Sequence, residues 1–200
     1  MKMLQSLVLA LLLIFYTGCS EDDIVDPPVD DPSADVHTIY NVPADTGNQN
    51  KITYFRFSDS TIVTGSDTAT ANWDIAFRAT TIYTNSGSSG PGQGGAVVLT
   101  NADFNSVTKA PADGYNVDAA GAPAIPTGSD NGWYHYDAAN FVIVPLTGVI
   151  LAIRTGDGKY AKVQILSYYK DVLTNPSAAD QARFYTFKYC YQPDGSIDFE

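Results

Sequence analysis

Val149-Ile-Leu-Ala-Ile-Arg154, Thr155-Gly156-Asp157-Gly158 and Lys159-Tyr-Ala-Lys-Val-Gln-Ile-Leu-Ser-Tyr168 follow one another without a break. Two runs rich in β-branched and aliphatic residues flank an Asp-Gly pair. That pair tolerates positive φ, so the stretch reads as an antiparallel hairpin. In its second arm Tyr160, Lys162, Gln164 and Leu166 point one way, and Ala161, Val163, Ile165 and Ser167 the other. One face is therefore buried and one is mixed.

Working outward, the same short-strand pattern recurs. Lys51-Ile-Thr-Tyr-Phe-Arg-Phe57, Trp73-Asp-Ile-Ala-Phe-Arg78, Gly95-Ala-Val-Val-Leu99, Phe141-Val-Ile-Val144 and Phe184-Tyr-Thr-Phe-Lys-Tyr-Cys-Tyr191 are short, β-branched or aromatic, and separated by turn residues. In the 73–78 run, Trp73, Ile75 and Phe77 are expected on one face and Asp74, Ala76 and Arg78 on the other. In the last run Tyr185, Phe187, Tyr189 and Tyr191 alternate with smaller or polar residues. Such a face packs a core or lines a ligand cavity, and core packing is the commoner use. Helix is confined to a turn or two at 101–105 and at 177–182, where Ser177 would cap. Residues 111–131 form a long irregular loop with three prolines, and loops of that length often carry function. The fold class is all-β and mostly antiparallel, with very little helix.

The N-terminal segment has a different grammar. Lys2 precedes a short apolar stretch that ends in Tyr16-Thr17-Gly18-Cys19. A positive start, an apolar run too short to span a bilayer and small residues before a cysteine mark a secretory signal. The cysteine at the cleavage point resembles a bacterial lipoprotein signal, with Tyr16 where Leu is usual. Residues 1–18 are then the signal peptide and Cys19 the lipidated residue. Ser20-Glu21-Asp22-Asp23 resembles the acidic surface-export signal of lipoproteins in Bacteroidetes-type bacteria. Residues 19–36 stay acidic and carry Pro27, Pro28 and Pro32. Such a segment buries no core and acts as a tether for a folded part at 37–200. Membrane attachment is by the lipid anchor alone, and the resemblance to surface lipoprotein signals implies the outer membrane, exposed on the surface.

The formal net charge is −11. So acidic a chain does not seek phosphate backbones, which excludes nucleic acid as a partner. Of its two cysteines, a lipidated Cys19 leaves no disulfide framework, and Cys190 reads as a small core or strand residue. The chain has two histidines, His37 and His135, and both methionines lie in the signal. Two distant imidazoles do not make a zinc site. His135 has no Ser-bearing elbow nearby, and no spacing of acids singles out a catalytic pair. The chain is therefore read as no enzyme. The glycine-rich run Asn85-Ser-Gly-Ser-Ser-Gly-Pro-Gly-Gln-Gly-Gly95 precedes a strand rather than a helix. It suits a crossover or a ligand rim rather than a phosphate loop.

Several strings, taken in order, resemble the HmuY family of Bacteroidetes surface lipoproteins. They are Trp73-Asp-Ile-Ala-Phe-Arg78, Thr84-Asn85-Ser86-Gly87 to Gly95-Ala96, Val107-Thr-Lys-Ala-Pro111, Gly132-Trp-Tyr134 and Asp157-Gly-Lys-Tyr-Ala-Lys162 with Gln164. The resemblance spans roughly residues 37–192. It implies two facing curved sheets. It also implies capture of haem or a related tetrapyrrole, and delivery to a TonB-dependent outer-membrane receptor for iron acquisition. The type member grips haem iron between two histidines, in the loops between the Lys-Ala-Pro and Gly-Lys-Tyr-Ala-Lys strings. Within 112–157 this chain offers His135 and no methionine, so the pair does not carry over; a two-histidine clamp would require His37. His135 is the candidate iron ligand, with an open sixth position or an oxygen from Tyr134, Tyr136 or Tyr115. Trp133, Tyr136 and Phe141 are the candidate apolar walls. The alternative is an ordinary strand or loop histidine, on a protein of the same fold that binds a non-haem ligand or serves an adhesive or structural role.

Overall fold

The computed structural model describes residues 35–200. The signal peptide, Cys19 and most of the tether lie outside the described residues. Two antiparallel sheets face each other. The larger joins β1 (Val36–Pro43), β11 (Ala182–Gln192), β10 (Tyr160–Tyr169), β9 (Ile150–Arg154) and β6 (Gly95–Leu99), in that order. The smaller joins β3 (Thr61–Val63), β2 (Thr53–Arg56), β4 (Ile75–Arg78) and β5 (Thr81–Thr84). A separate hairpin pairs β7 (Tyr134–Asp137) with β8 (Val142–Pro145). Among the described residues the helical content is one 3-10 turn, Gly65–Ala69. The all-β, mostly antiparallel reading is the architecture found.

The hairpin at 149–168 forms as its sequence dictates. Tyr160 pairs with Arg154 and Val163 with Leu151, and Gly158 takes φ +87 in the turn. Ala161, Val163, Ile165 and Ser167 are buried. Tyr160, Gln164 and Leu166 are half-buried, which gives the mixed face. The aromatic stripe of β11 is core: Tyr185, Phe187 and Tyr189 are fully buried. They meet the smaller sheet directly, Phe187 edge-on to Phe55 with ring centroids 5.3 Å apart and Tyr185 against Phe77 at 4.5 Å. Each such side chain contributes roughly 1.5–3 kcal/mol by burial. The other face of β10 and β11 is covered by the 104–110 loop and the C-terminal segment, where Phe104, Ile150, Cys190 and Phe199 cluster. Lys162 fastens that cover, its Nζ donating to the carbonyls of Phe104 at 3.0 Å and Val107 at 2.8 Å.

The structure corrects three local readings. Trp73 does not share the face of Ile75 and Phe77. It packs with Val63 and Ala76 on the outer side of the smaller sheet, because β4 begins only at Ile75 and the alternation does not extend back to it. The two short helices are turns instead. Asp103 accepts from the backbone N–H of Asn105 and Ser106, and Asp180 accepts from Ser177 N–H. Side chains that bond their own backbone compete with helix. Third, β1, β3, β5 and β7 were not anticipated as strands.

Asp74 joins the two sheets. Its carboxylate accepts from Phe57 N–H at 2.7 Å and from Gly156 N–H, in the turn between β9 and β10, at 3.1 Å. Burial pushes its pKa up to about 6, against the pull of those two donors, and the nearby Asp157 adds to the rise. The glycine-rich loop winds around a second buried polar side chain, Asn85. Asn85 Nδ2 donates to the carbonyls of Thr70 and Trp73, and its Oδ1 accepts from Gly92 N–H. A Cβ at Gly87 would stand 1.9 Å from the Asp118 carbonyl oxygen. The loop is thus a close-packed crossover.

Candidate functional site

The β7–β8 hairpin carries most of the residues singled out in the sequence. Tyr134 pairs with Pro145, His135 with Val144 and Tyr136 with Ile143. Alternation sends Tyr134 inward, and it is buried. Tyr136 is 42% exposed and Phe141 69% exposed. Phe141 sits in the hairpin turn at φ +58, a conformation uncommon for a bulky side chain. Asp137 shapes that turn by accepting from the backbone N–H of Ala139 and Asn140. The hairpin is tied to the larger sheet through Ile143 N–H, which donates to the Tyr169 hydroxyl at 2.9 Å.

His135 is exposed, and its ring is held. Nδ1 lies 2.8 Å from one oxygen of Asp130 and 3.1 Å from the other. The carboxylate is itself positioned by the chain beside β7. Asp130 N–H donates to the Tyr134 carbonyl, Tyr136 N–H donates to the Ser129 hydroxyl, and that hydroxyl donates to Asp130 Oδ2. The Ser129 hydroxyl and the His135 imidazole hold the Asp130 carboxyl below the ordinary carboxylate value. A carboxylate on Nδ1–H leaves the Nε2 lone pair for a Lewis acid, the arrangement in which metal-binding histidines are commonly oriented.

The other named residues are dispersed. Trp133 is 2% exposed and sits in the core against Tyr168 and Tyr185, its Nε1 donating to the Thr80 carbonyl. Tyr115 lies on the larger sheet beside Tyr160 and Arg154, and its buried hydroxyl has no hydrogen-bond partner among the described residues. Burial raises the pKa of that phenol. His37 is on β1, stacked on Tyr189 at 5.1 Å. The structure therefore places His135, Tyr136 and Phe141 on one exposed hairpin, with His135 and Tyr136 on opposite faces of β7, and sets Trp133, Tyr115 and His37 apart from it. Asp130 was missed in the sequence, although its place five residues before His135 in a Gly/Ser/Asp turn was available. Among the described residues no group of three or more His, Cys, Asp or Glu is placed to hold a metal ion.

Two facing antiparallel sheets with an appended histidine-bearing hairpin define the class as an all-β, two-sheet scaffold. A family model described as HmuY protein matches residues 48–189. The chain belongs to the HmuY family. Solved structures share the fold. One is from Bacteroides vulgatus ATCC 8482, described as an HmuY-like heme binding protein. It is 22% identical with a TM-score of 0.53, over 80% of this chain and 94% of that one. Another, from Bacteroides fragilis NCTC 9343 and described as a lipoprotein, is 18% identical with a TM-score of 0.52, over 82% of this chain and 96% of that one. No curated protein matches the chain.

Proposed function

We propose that this chain is a non-enzymatic surface lipoprotein that binds haem or a related tetrapyrrole for uptake through an outer-membrane receptor of the TonB-dependent kind. Membership of the HmuY family supports the class. The observation that carries the ligand is His135 itself, an exposed imidazole whose Nδ1 is engaged by Asp130. Its Nε2 supplies one axial donor to iron, and the exposed ring of Phe141 in the hairpin turn supplies apolar contact to a macrocycle, with Tyr136 on the other face of β7. Trp133 supports the hairpin from the core. Cys19 carries the acyl anchor, the segment from it to the start of β1 at Val36 is the tether, and the outer membrane is the location.

The alternative, a non-haem ligand on the same fold, draws on one observation: His37 stacks on Tyr189 of the larger sheet, so it is not part of the hairpin that carries His135. A haemin titration of the chain from Ser20 onward decides between the two. The haem reading expects a Soret shift in at least one iron oxidation state, and its loss or displacement in His135→Ala. An unchanged spectrum in that variant removes His135 from the site. No shift with the unaltered chain removes haem.

A further inference from the structure

The register of the smaller sheet builds a second recess, on its outer face. Tyr54 on β2 pairs with Ala76 on β4, and Ala76 pairs with Tyr83 on β5. The three side chains therefore lie in one row across adjacent strands, a small residue between two tyrosines. Strand spacing puts the two tyrosine Cα atoms about 10 Å apart. Trp73 closes the bottom, fully buried and edge-on to Tyr54 at 4.9 Å. The 119–127 loop and Ser88-Ser89 form the walls, enclosing about 590 Å³. Clefts that hold small molecules have volumes of roughly 300–1,000 Å³.

The charge in this recess is unusual for so acidic a chain. Arg78 is the one charged residue that lines it. It lies on the same face of β4 as Ala76, two residues on. The four lysine and arginine ion pairs among the described residues use Arg56, Lys109, Lys159 and Arg183, and none uses Arg78. Among the described residues its guanidinium makes no hydrogen bond, and it lies over the Tyr83 ring at 5.5 Å. A guanidinium with its hydrogen-bonding fork unspent, over the Tyr83 ring in a recess also lined by Tyr54, Thr81, Ser88 and Thr127, matches one ligand chemistry. A carboxylate takes the fork in two parallel hydrogen bonds, and a flat ring lies against the tyrosines.

We propose that this recess binds a small ring-bearing carboxylate, with its ring between Tyr54 and Tyr83 and its carboxylate on Arg78. None of His135, Tyr136 and Phe141 lines it. An aromatic acid and a sugar acid share this chemistry, and the test separates them. Backbone amide shifts of the chain from Ser20 onward are followed by NMR while 4-hydroxybenzoate or D-glucuronate is added to about 10 mM, weak-binding territory. Glucose and 4-hydroxybenzamide serve as uncharged controls. The proposal expects at least one acid to shift Ala76, Tyr83 and Gly121, and the controls to be much weaker. Which acid does so names the source. Arg78→Gln is expected to weaken binding about tenfold or more, and Arg78→Lys less. His135→Ala is expected to bind as the unaltered chain does. Absence of shifts at these amides with both acids, equal affinity in a folded Arg78→Gln variant, or loss of binding in His135→Ala would each overturn the proposal.

Discussion

Replacing Asp74 by Asn tests how the two sheets are fastened. The folded carboxyl titrates at about 6 because burial opposes its charge, against an ordinary value of 3.8. The group binds its proton more tightly folded than unfolded. Its contribution to stability is therefore complete below 3.8 and is lost as pH rises through 6. The full shift corresponds to roughly 3 kcal/mol, of which about 2–3 kcal/mol falls between pH 4 and pH 7. Asparagine does not titrate. It keeps one acceptor for the N–H groups of Phe57 and Gly156 and leaves the other donor without one, a penalty that does not depend on pH. Subtracting the variant's stability from that of the unaltered chain cancels the remaining titrations. That difference should move in the variant's favour by about 2–3 kcal/mol between pH 4 and pH 7, a relative change of about 5–10 °C in Tm for a domain of this size. Thermal and urea unfolding followed by circular dichroism at the two pH values give the numbers. A constant difference, or one that moves toward the unaltered chain as pH rises, would refute the reasoning. It would mean that the two backbone donors outweigh burial and keep Asp74 ionised.

Three further outcomes are expected. Trp133→Ala should cost about 3–5 kcal/mol in urea unfolding, since the indole fills the core between Tyr168 and Tyr185; a ligand wall alone would leave stability unchanged. Gly87→Ala should cost roughly 3 kcal/mol or more, because its Cβ meets the Asp118 carbonyl and its φ is +50; a Tm within a degree or two of the parent would contradict the packing of that loop. Asp130→Ala should weaken haemin binding about tenfold or more while leaving thermal stability near that of the parent, as expected when a carboxylate orients an exposed ligating histidine; undiminished affinity would show that the imidazole needs no orienting partner.

The parts of the fold legible in the sequence are those whose signal is local. The β9–β10 hairpin announces itself through alternation and an Asp-Gly turn, and β11 through its aromatic stripe. β5 was hidden because the turn before it uses Ala79 at φ +48, where neither Gly nor Asn warns of a reversal. β7 is four residues long with His135 and Tyr136 exposed, so it has little periodicity to read. β1 looks like tether because Val36 and Tyr40 point to solvent, and a register shift interrupts it after Ile39. The site divides in the same way. His135 stood out as the histidine within the family's ligand loops. Trp133 looked like a wall because Tyr134 and Tyr136 are its neighbours in sequence, whereas its packing partners Tyr168 and Tyr185 lie far along the chain. The recess over the smaller sheet left no trace, since Tyr54, Ala76 and Tyr83 meet only through strand register.

The most direct measurement is where a paramagnetic haemin sits on the folded chain. Line broadening of backbone amides by ferric haemin is expected to centre on Asp130, His135, Tyr136 and Phe141 and to spare Ala76 and Tyr83. Broadening centred on the Arg78 recess, or none that survives dilution to equimolar haemin, would contradict the assignment of His135 as the iron-binding residue.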